Sequence, residues 1–278
     1  IQLYAEDNQE ASDMHLQAFK IAENKDIMLP VMVCMDGFIL THSFDPIELI
    51  SQEQADKFLP SFKPEYYLTP KNPLSMGTMV GPEAYMETRY FIEKTMRASL
   101  QVISDVATDF HNQFGRFQGG LIDTYKVEDA TLVLVAMGSI IGTIKDIVDD
   151  LRAKGQKVGV LKVRSYRPFP KDEIYKALNH VKEIAVVEKA VSLGYGGILV
   201  NEIKSVFYGK PKTPKINGFI LGVELLKNIN QKIFKNLILV FEVKKIWYTS
   251  LTYYVIRCIQ IKFLLYCVNT QLMLVILI

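Results

Sequence analysis

Cysteine is scarce in this chain of 278 residues, which contains only Cys34, Cys258 and Cys267. No two of them form a CxxC pair, which excludes a zinc site or an iron–sulfur cluster held by this chain alone. Only Cys34 lies in the first 222 residues, which fits a reducing cytoplasm better than a disulfide-stapled secreted protein. A P-loop, an HExxH motif and a Ser-His-Asp order are also missing, so the sequence favours none of those catalytic sites.

A starting Met and a signal-like segment are absent as well. The chain begins at Ile1, and we expect it to be truncated at its front end. Residues 223–278 contain seven Lys or Arg and two Glu, a net charge of +5, so residues 1–222 carry −3 of the total of +2. An acidic body disfavours nucleic-acid binding.

The first 114 residues show a helix, a strand, an irregular stretch and a long helix. The spacing of apolar residues predicts a helix over 8–25, and the apolar run that ends at Asp36 predicts a buried strand. Ser51, with Gln54 three residues later, predicts a capping box. The five prolines of residues 60–82 predict an irregular connector. We predict a long helix from Glu83 to about Asn112.

After residue 130 the chain repeats a strand–helix pattern three times. The strands are predicted at TLVLVAM, KVGVLKV and EIAVVEKA. The helix after the first strand places Ile144, Ile147, Val148 and Leu151 on one apolar stripe, and Gly155 suits the left-handed residue at its end. Three such repeats predict an α/β fold with a parallel sheet.

Polar residues at strand ends are the candidates for chemistry. Asp36 and His42 flank a predicted strand end, where they could act as an acid/base pair or form an Asx-type turn and a structural histidine. Arg164 and Arg167 could bind an anion bidentately or form salt bridges to a neighbouring domain; we prefer the domain contact. His15 and His111 have no ligand partner at helical spacing, so no metal site is predicted.

Two glycine-containing turns precede predicted helices. Gly194, Gly196 and Gly197 could hold a phosphate on backbone N–H groups, but a tight turn with close helix packing is the preferred interpretation. Ser139, after Gly138, has the same two interpretations, and we prefer a helix N-cap.

Five blocks, in this order and spacing, resemble the α-subunit family of pyruvate:ferredoxin oxidoreductases: IQLYAEDNQEASDMHLQAF, PVMVCMDGFILTH, VAMGS, KVRSYRPFP and EKAVSLGYGG. The resemblance covers about residues 1–222. It implies a cytoplasmic oxidoreductase that decarboxylates pyruvate on thiamine diphosphate, forms acetyl-CoA from CoA and reduces ferredoxin. The related 2-oxoisovalerate and 2-oxoglutarate enzymes share this architecture, so the substrate is less certain than the family.

The resemblance also implies a domain order. Residues 1–59 correspond to the last part of a pyrimidine-binding thiamine domain and residues 60–82 to a connector. Residues 83–222, led by the long helix, correspond to a parallel α/β domain like the C-terminal domain of transketolase. The unit from Leu132 to Pro170 should therefore dock and organise the assembly rather than bind thiamine.

A division of labour between subunits follows from the same resemblance. Thiamine diphosphate and Mg²⁺ are expected to be shared with a β subunit, and iron–sulfur clusters to lie on other subunits, so this chain alone binds none of them. The expected partners are the β, γ and δ subunits and ferredoxin, with no nucleic acid and no membrane. The family's catalytic residues are expected upstream of Ile1, so none is assigned here, and we expect the isolated chain to be inactive.

Residues 223–278 depart from the family, which continues with a GLGGRD-type segment. They contain no Gly, Ala, Asp, Pro or His. Codons rich in A and T encode mainly Ile, Lys, Asn, Phe, Leu and Tyr, so we expect a frameshift product in preference to a membrane-attached tail. Two alternatives for the whole chain remain: a stand-alone transketolase-like interaction module without catalysis, and a membrane-tethered protein.

Overall fold

Residues 1–221 are the part of the chain that the computed structural model describes, and the tail discussed above lies outside them. In chain order the elements are β1 (Gln2–Tyr4), α1 (Asn8–Ala22), β2 (Met32–Cys34), α2 (Ile39–His42), α3 (Gln52–Phe58), α4 (Pro82–Phe114), β3 (Ile122–Tyr125), β4 (Leu132–Ala136), α5 (Ile140–Arg152), β5 (Val158–Val163), β6 (Ser165–Arg167), α6 (Lys171–Leu178), β7 (Glu183–Glu188), α7 (Ile198–Phe207) and β8 (Lys215–Ile220).

A five-stranded sheet with the order β3-β5-β4-β7-β8 dominates the second half of this region. Strand β4 pairs in parallel with β5 and β7, and β7 pairs in parallel with β8. The three strand–helix repeats and the α/β fold are therefore confirmed. Strand β3 adds an antiparallel edge that the sequence pattern did not indicate. Every residue of β4 and β5 is buried, as expected for strands covered on both faces.

The chain reverses its direction across this sheet at β4. From β4 it runs through α5 to β5 on one side, and then through α6 to β7 on the other side. The carboxyl ends of β4 and β7 therefore flank a topological switch point, where open α/β sheets form a crevice. The predicted residues of α5, Ile144, Ile147, Val148 and Leu151, are buried beneath this sheet.

A smaller sheet with the order β2-β1-β6 joins the start of the chain to its second half. Strand β1 pairs in parallel with β2 and antiparallel with β6. Only Arg164 separates the end of β5 in the large sheet from the start of β6 in the small one. The small sheet has its own hydrophobic core beside it, which includes Leu3, Met14 and Ile21, together with Phe110 from the long helix.

The long helix α4 has two different halves. It has Pro82 in its first turn and ends at Gly115, which has a φ of 72°, so the predicted helix is confirmed. The second half packs in the core against α1. In the first half, residues 82–94, every residue except Thr88 is exposed. The helix predicted to lead the second domain thus packs on the first, and the division at residue 83 stays a prediction.

Candidate functional site

Three polar side chains from distant parts of the chain meet at the switch point of the large sheet. Asp36 follows β2, Ser139 follows β4, and Lys189 follows β7. One carboxylate oxygen of Asp36, Oδ2, accepts a hydrogen bond from the Lys189 ammonium at 2.6 Å and from the Ser139 backbone N–H at 3.1 Å. The Ser139 hydroxyl is also hydrogen-bonded to this oxygen, and Lys189 lies 2.9 Å from that hydroxyl. We call Asp36, Ser139 and Lys189 the Asp36 cluster.

The turn before α5 allows this close approach. Gly138 has a φ of 77°, in the left-handed region that favours glycine. A Cβ at this position would lie 3.0 Å from Oδ1 of Asp36. Glycine at position 138 therefore meets both the backbone and the space requirements of the Asp36 cluster. Ser139 occupies the N-cap position of α5, but its side chain forms no cap hydrogen bond with that helix and binds Asp36 instead.

The environment of Asp36 keeps it ionised. Partial burial by itself would raise the pKa of the Asp36 carboxyl. The hydrogen bonds and charge of Lys189, with those from Ser139, outweigh that effect, so the pKa of Asp36 lies below its ordinary value of 3.8. The Asp36 cluster is thus a carboxylate–ammonium pair at neutral pH.

His42 has partners other than Asp36. It ends the short helix α2, where its Nδ1 lies 2.8 Å from the Thr41 hydroxyl and its ring stacks on Phe38 at 5.5 Å. The side-chain hydrogen bonds of Asp36 go to Ser139 and Lys189. The described contacts therefore do not bring Asp36 and His42 together as an acid/base pair.

An open cleft of about 360 Å³ lies between the start of α1 and the segment that follows β2. Its lining residues are Asn8, Ala11, Ser12, His15, Met35, Leu40, Ser43, Phe44, Asp45 and Ile47. Asp45 accepts hydrogen bonds from Asn8 at 2.7 Å and from Ser43 at 2.9 Å, so these polar groups already bind one another. Since Met35 precedes Asp36, the Asp36 cluster anchors one wall of this cleft to the large sheet.

The glycine turn before α7 is occupied by a carboxylate of the chain itself. Glu188, at the end of β7, is 4% exposed. Its carboxylate accepts the backbone N–H groups of Leu199 at 2.8 Å and of Val200 at 3.1 Å. These are donors that a phosphate at this helix end would need. A Cβ on Gly197 would overlap the Glu188 carboxylate. Gly194, Gly196 and Gly197 thus form a tight turn that leaves room for Glu188.

Arg164 lies in a buried ionic network that joins the two halves of the described region. Its guanidinium donates to Glu10 at 3.1 Å, to Gln17 at 2.8 Å and to the carbonyl of Gly120 at 3.0 Å. Glu10 also pairs with Lys162 at 3.3 Å. Glu10, Lys162 and Arg164 are at most 2% exposed, and we call them the Glu10 network. Burial lowers the pKa of Arg164, and the Glu10 carboxylate opposes that shift.

Arg167, whose side chain is 40% exposed, also has its partners within the chain. Its guanidinium forms an ion pair with Glu202 of α7 and lies over the ring of Tyr166, 4.2 Å from its centroid. Arg164 therefore bonds to the first part of the chain, whereas Arg167 bonds to the helix that follows the glycine turn. In each case an internal carboxylate takes the place of the anionic ligand that we considered from the sequence.

Several of these groups were missed by sequence reasoning. Lys189 and Glu188 end the third repeated strand, so they occupy the same strand-end position that singled out Asp36. Lys162 and Glu10 were not singled out from the sequence. Charged side chains are usually exposed, so nothing in the pattern indicated that these two are buried. Among residues 1–221, no group of three or more His, Cys, Asp or Glu could hold a metal ion. Within the same residues, no helix has the length and apolar character needed to cross a membrane.

Two protein-family models match the chain. Residues 1–108 match the model described as pyruvate flavodoxin/ferredoxin oxidoreductase, thiamine diphosphate-binding. Residues 130–224 match pyruvate:ferredoxin oxidoreductase core domain II. Together with the sheet order, these matches define an α/β chain of the thiamine diphosphate-binding oxidoreductase class.

Individual relatives agree with this assignment. Pyruvate synthase subunit PorA of Methanosarcina barkeri is 48% identical over 223 residues, which cover 80% of this chain and 56% of the relative. PorA of Methanothermobacter thermautotrophicus is 43% identical over 223 residues, covering 80% and 57%. Ketoisovalerate oxidoreductase subunit VorA of Pyrococcus horikoshii is 42% identical over 224 residues, covering 80% and 56%. The chain belongs to the pyruvate:ferredoxin oxidoreductase family, and it spans a little over half the length of the curated relatives that it matches.

The glycine turn before α7 does not fit the diphosphate end of the family's cofactor. A bound diphosphate needs a cation site or free N–H donors at a helix start. Residues 1–221 contain no group of three or more His, Cys, Asp or Glu that could hold a metal ion, and the glycine turn before α7 donates its N–H groups to Glu188. We therefore derive no chemical step through thiamine diphosphate from this region.

Proposed function

We propose that this chain supplies the docking and organising part of the α subunit of a 2-oxoacid:ferredoxin oxidoreductase that uses pyruvate. The observation that carries the proposal is the 48% identity to a pyruvate synthase subunit over 223 residues. The reaction is the oxidative decarboxylation of pyruvate with CoA to acetyl-CoA, CO₂ and reduced ferredoxin. We place it in the cytoplasm, in keeping with the single cysteine of residues 1–222.

The organising role rests on how the strand-end residues are used. Three strand-end side chains have partners within the chain. Asp36 pairs with Lys189, Arg164 pairs with Glu10, and Glu188 accepts a hydrogen bond from the start of α7. Groups held this way fix one part of the chain against another. They are not poised to exchange protons with a substrate, since a catalytic acid or base needs to reach the reacting atoms. We therefore expect the chain without its partner subunits to be inactive.

Other subunits complete the site in this proposal. Thiamine diphosphate and Mg²⁺ are shared with a β subunit, the iron–sulfur clusters lie on further subunits, and the γ and δ subunits and ferredoxin complete the electron path. The poor fit of the glycine turn before α7 to a diphosphate supports this division. We accordingly expect no measurable binding of thiamine diphosphate with Mg²⁺ to the isolated chain in a calorimetric titration.

The assembly can be tested by co-expression. A tagged full-length chain is produced with the β, γ and δ subunits encoded by the same genome, and the purified material is assayed for pyruvate- and CoA-dependent reduction of ferredoxin. Co-purification of the subunits without turnover supports an organising part that lacks catalytic groups. Turnover would contradict the expected inactivity, and failure to co-purify would contradict the α-subunit role itself.

Substrate choice is best tested in a chimera. The matching 223 residues of the Methanosarcina barkeri subunit are replaced by the corresponding residues of this chain, and kcat/KM is measured for pyruvate, 2-oxoisovalerate and 2-oxoglutarate. We expect pyruvate to remain preferred. The 42% identity to a ketoisovalerate oxidoreductase subunit favours 2-oxoisovalerate as the second candidate, and a reversed preference in the chimera would select it.

A stand-alone interaction module without catalysis is the alternative function. The strand-end charges described above all have partners within the chain, so none of them is left to bind a substrate. This observation favours the interaction module. The co-expression experiment separates the two functions. An interaction module would bind partners that carry no thiamine enzyme activity, whereas the proposed α-subunit part co-purifies with the remaining subunits of the oxidoreductase.

A further inference from the structure

The open cleft beside α1 lies at the carboxyl ends of two parallel strands. Strand β1 leads into α1, β2 leads into the segment of residues 35–48, and residues from both connections line the cleft. The crevice beyond the carboxyl ends of parallel strands is where α/β proteins usually hold their ligands. At about 360 Å³, the cleft falls within the range of small-molecule sites, roughly 300–1,000 Å³.

The wall formed by residues 43–50 is tied to the rest of the chain, although these residues lie in no helix or strand. The side-chain amide of Gln9 on α1 accepts the backbone N–H of Glu48 at 2.7 Å and donates to its carbonyl at 3.1 Å. Arg116 donates to the Glu48 carboxylate at 3.1 Å and to Asp13 of α1 at 2.8 Å. Since the Asp36 cluster anchors the opposite wall, the chain itself holds both walls in place.

Asp45 gives the cleft a negative charge that the chain does not neutralise. Nδ2 of Asn8 donates to the Ser43 hydroxyl at 2.8 Å and to Oδ2 of Asp45 at 2.7 Å, and the Ser43 hydroxyl donates to the same Oδ2 at 2.9 Å. In the part of the chain that the structure describes, Oδ1 of Asp45 has no hydrogen-bond partner, and no Lys or Arg pairs with this carboxylate. The amide and hydroxyl donors are therefore spent within the chain, whereas an anionic acceptor remains.

His15 adds a second acceptor to the cleft. Its Nδ1 lies 2.6 Å from the carbonyl oxygen of Ala11 and donates to it, so Nε2 of the neutral ring is an acceptor. The hydroxyl of Ser12 can donate or accept. Together with the Asp45 carboxylate, these groups favour a ligand that carries hydrogen-bond donors and a positive charge. An anion, such as the 2-oxoacid substrate proposed above, is a poor match for them.

The remaining side chains of the cleft are apolar and mostly aliphatic. Ala11 and Leu40 form its buried part, at 4% and 8% exposure, whereas Met35, Ile47 and Phe44 are exposed. Aliphatic surface next to an acceptor suits a ligand with an alkyl body and a polar head, because the alkyl part gains from burial. The flexible side chain of Met35 can adapt to different alkyl shapes.

We propose that this cleft binds a small molecule with an aliphatic body and an ammonium head, with the ammonium at Asp45 and the alkyl part against Leu40 and Ile47. The assignment does not depend on the oxidoreductase role proposed above, since it uses none of the residues that tie the two halves of the chain together. Asp45 is exposed, so its preference for a cation is modest and is reduced by salt.

Three probes of similar size test the charge preference: n-butylamine, n-butanol and butyrate. Their dissociation constants for the full chain are measured by saturation-transfer NMR. We expect butylamine to bind about two- to fivefold more tightly than butanol, the range expected for an exposed ion pair, and butyrate to bind most weakly. The advantage of butylamine should shrink in 1 M NaCl.

Three variants locate the binding site. Asp45→Asn should remove the advantage of butylamine over butanol, whereas Asp146→Asn, at an exposed aspartate of α5 outside the cleft, should preserve it. Ile47→Ala should weaken butylamine and butanol alike, by about two- to threefold, because both lose apolar contact. Circular dichroism checks that each variant is folded, and the probe series on the wild type is decisive without them.

Several outcomes would overturn the proposal. Equal binding of the three probes, or an advantage of butylamine that survives Asp45→Asn, would remove the role of the carboxylate. Tighter binding of thiamine than of butylamine would make the cleft part of the cofactor site. The titration is repeated on the chain co-purified with its partner subunits, where butylamine should still bind. Loss of binding in that complex would mean that a partner fills the cleft instead of a free small molecule.

Discussion

The ammonium group of Lys189 lies 2.6 Å from the carboxylate of Asp36, although 153 positions separate the two residues in the sequence. This contact ties the turn after β2 to the end of β7 and anchors a wall of the open cleft. Their side chains are 21% and 20% exposed, so the pair is partly shielded from water. Its energetic contribution can be measured directly.

Replacement of Asp36 by Asn should lower the free energy of unfolding by about 1–2 kcal/mol, because Lys189 loses its counter-charge in a partly desolvated site. The exposed Asp146 on α5 offers a matched control. Asp146→Asn should change the free energy of unfolding by less than about 0.5 kcal/mol. Urea denaturation of both variants measures the difference, and equal values for the two would contradict a stabilising role for the Asp36 cluster.

The same contact predicts a dependence on pH. The pKa of Asp36 is lowered in the folded chain, so the unfolded chain binds its proton more readily and stability falls as pH decreases. The stabilisation should be fully present above the unfolded pKa of about 3.9 and be lost as pH falls through the lower folded value. Wild type and Asp36→Asn are compared by denaturation from about pH 7 to about pH 2.5. A gap that persists unchanged at the acid end would show that Asp36 does not titrate as described.

Removal of Arg164 should be much more damaging than removal of an exposed arginine. Arg164→Met leaves Glu10 and Gln17 buried without their guanidinium donor and should cost about 3–5 kcal/mol. Arg97→Met is the matched control, because its partner Glu93 and Arg97 itself are 59% and 77% exposed, and it should cost less than about 1 kcal/mol.

Arg164→Lys keeps the charge but supplies fewer donors, so its free energy of unfolding should fall between those of the wild type and Arg164→Met. It provides a measurable value if Arg164→Met does not fold. Similar losses for Arg164→Lys and Arg97→Met would argue against the buried Glu10 network.

Two glycines should respond to alanine in opposite ways. Gly197→Ala pushes a methyl group into the Glu188 carboxylate and should destabilise the chain by about 1–3 kcal/mol. Gly142 lies inside α5, and a Cβ there would meet nothing within 4 Å. Gly142→Ala should therefore stabilise the chain by about 0.5–1 kcal/mol, since alanine favours the helix. Thermal unfolding of both variants provides the comparison; a stabilising Gly197→Ala would be inconsistent with the position of Glu188.

Local signals in the sequence predicted local structure well. The capping box of Ser51 and Gln54 is present at the start of α3, Gly155 has a φ of 80°, and the predicted apolar stripe of α5 is buried. These features depend on neighbours within one or two turns of chain, which a single sequence contains.

The partners of the strand-end residues could not be predicted in the same way. The sequence suggested His42 as the partner of Asp36, because the two residues are close in the chain. In the structure Asp36 is hydrogen-bonded to Ser139 and Lys189. The pairing of β1 with β6 spans more than 160 residues, and no periodicity within either strand indicates it. Contacts of this kind depend on which elements the sheet order brings together, so the blocks of the family resemblance carried more information than any single motif.

The backbone passes directly from β5 of the large sheet into β6 of the small sheet. This connection has a practical consequence for dividing the protein into fragments. A fragment that starts at residue 83 would leave β6 with an open edge and Arg164 without the carboxylate of Glu10. A fragment that ends at residue 59 would lose both β6 and the helix that closes its core. Neither predicted domain can be excised as a self-sufficient piece, and the two should unfold together in a single transition.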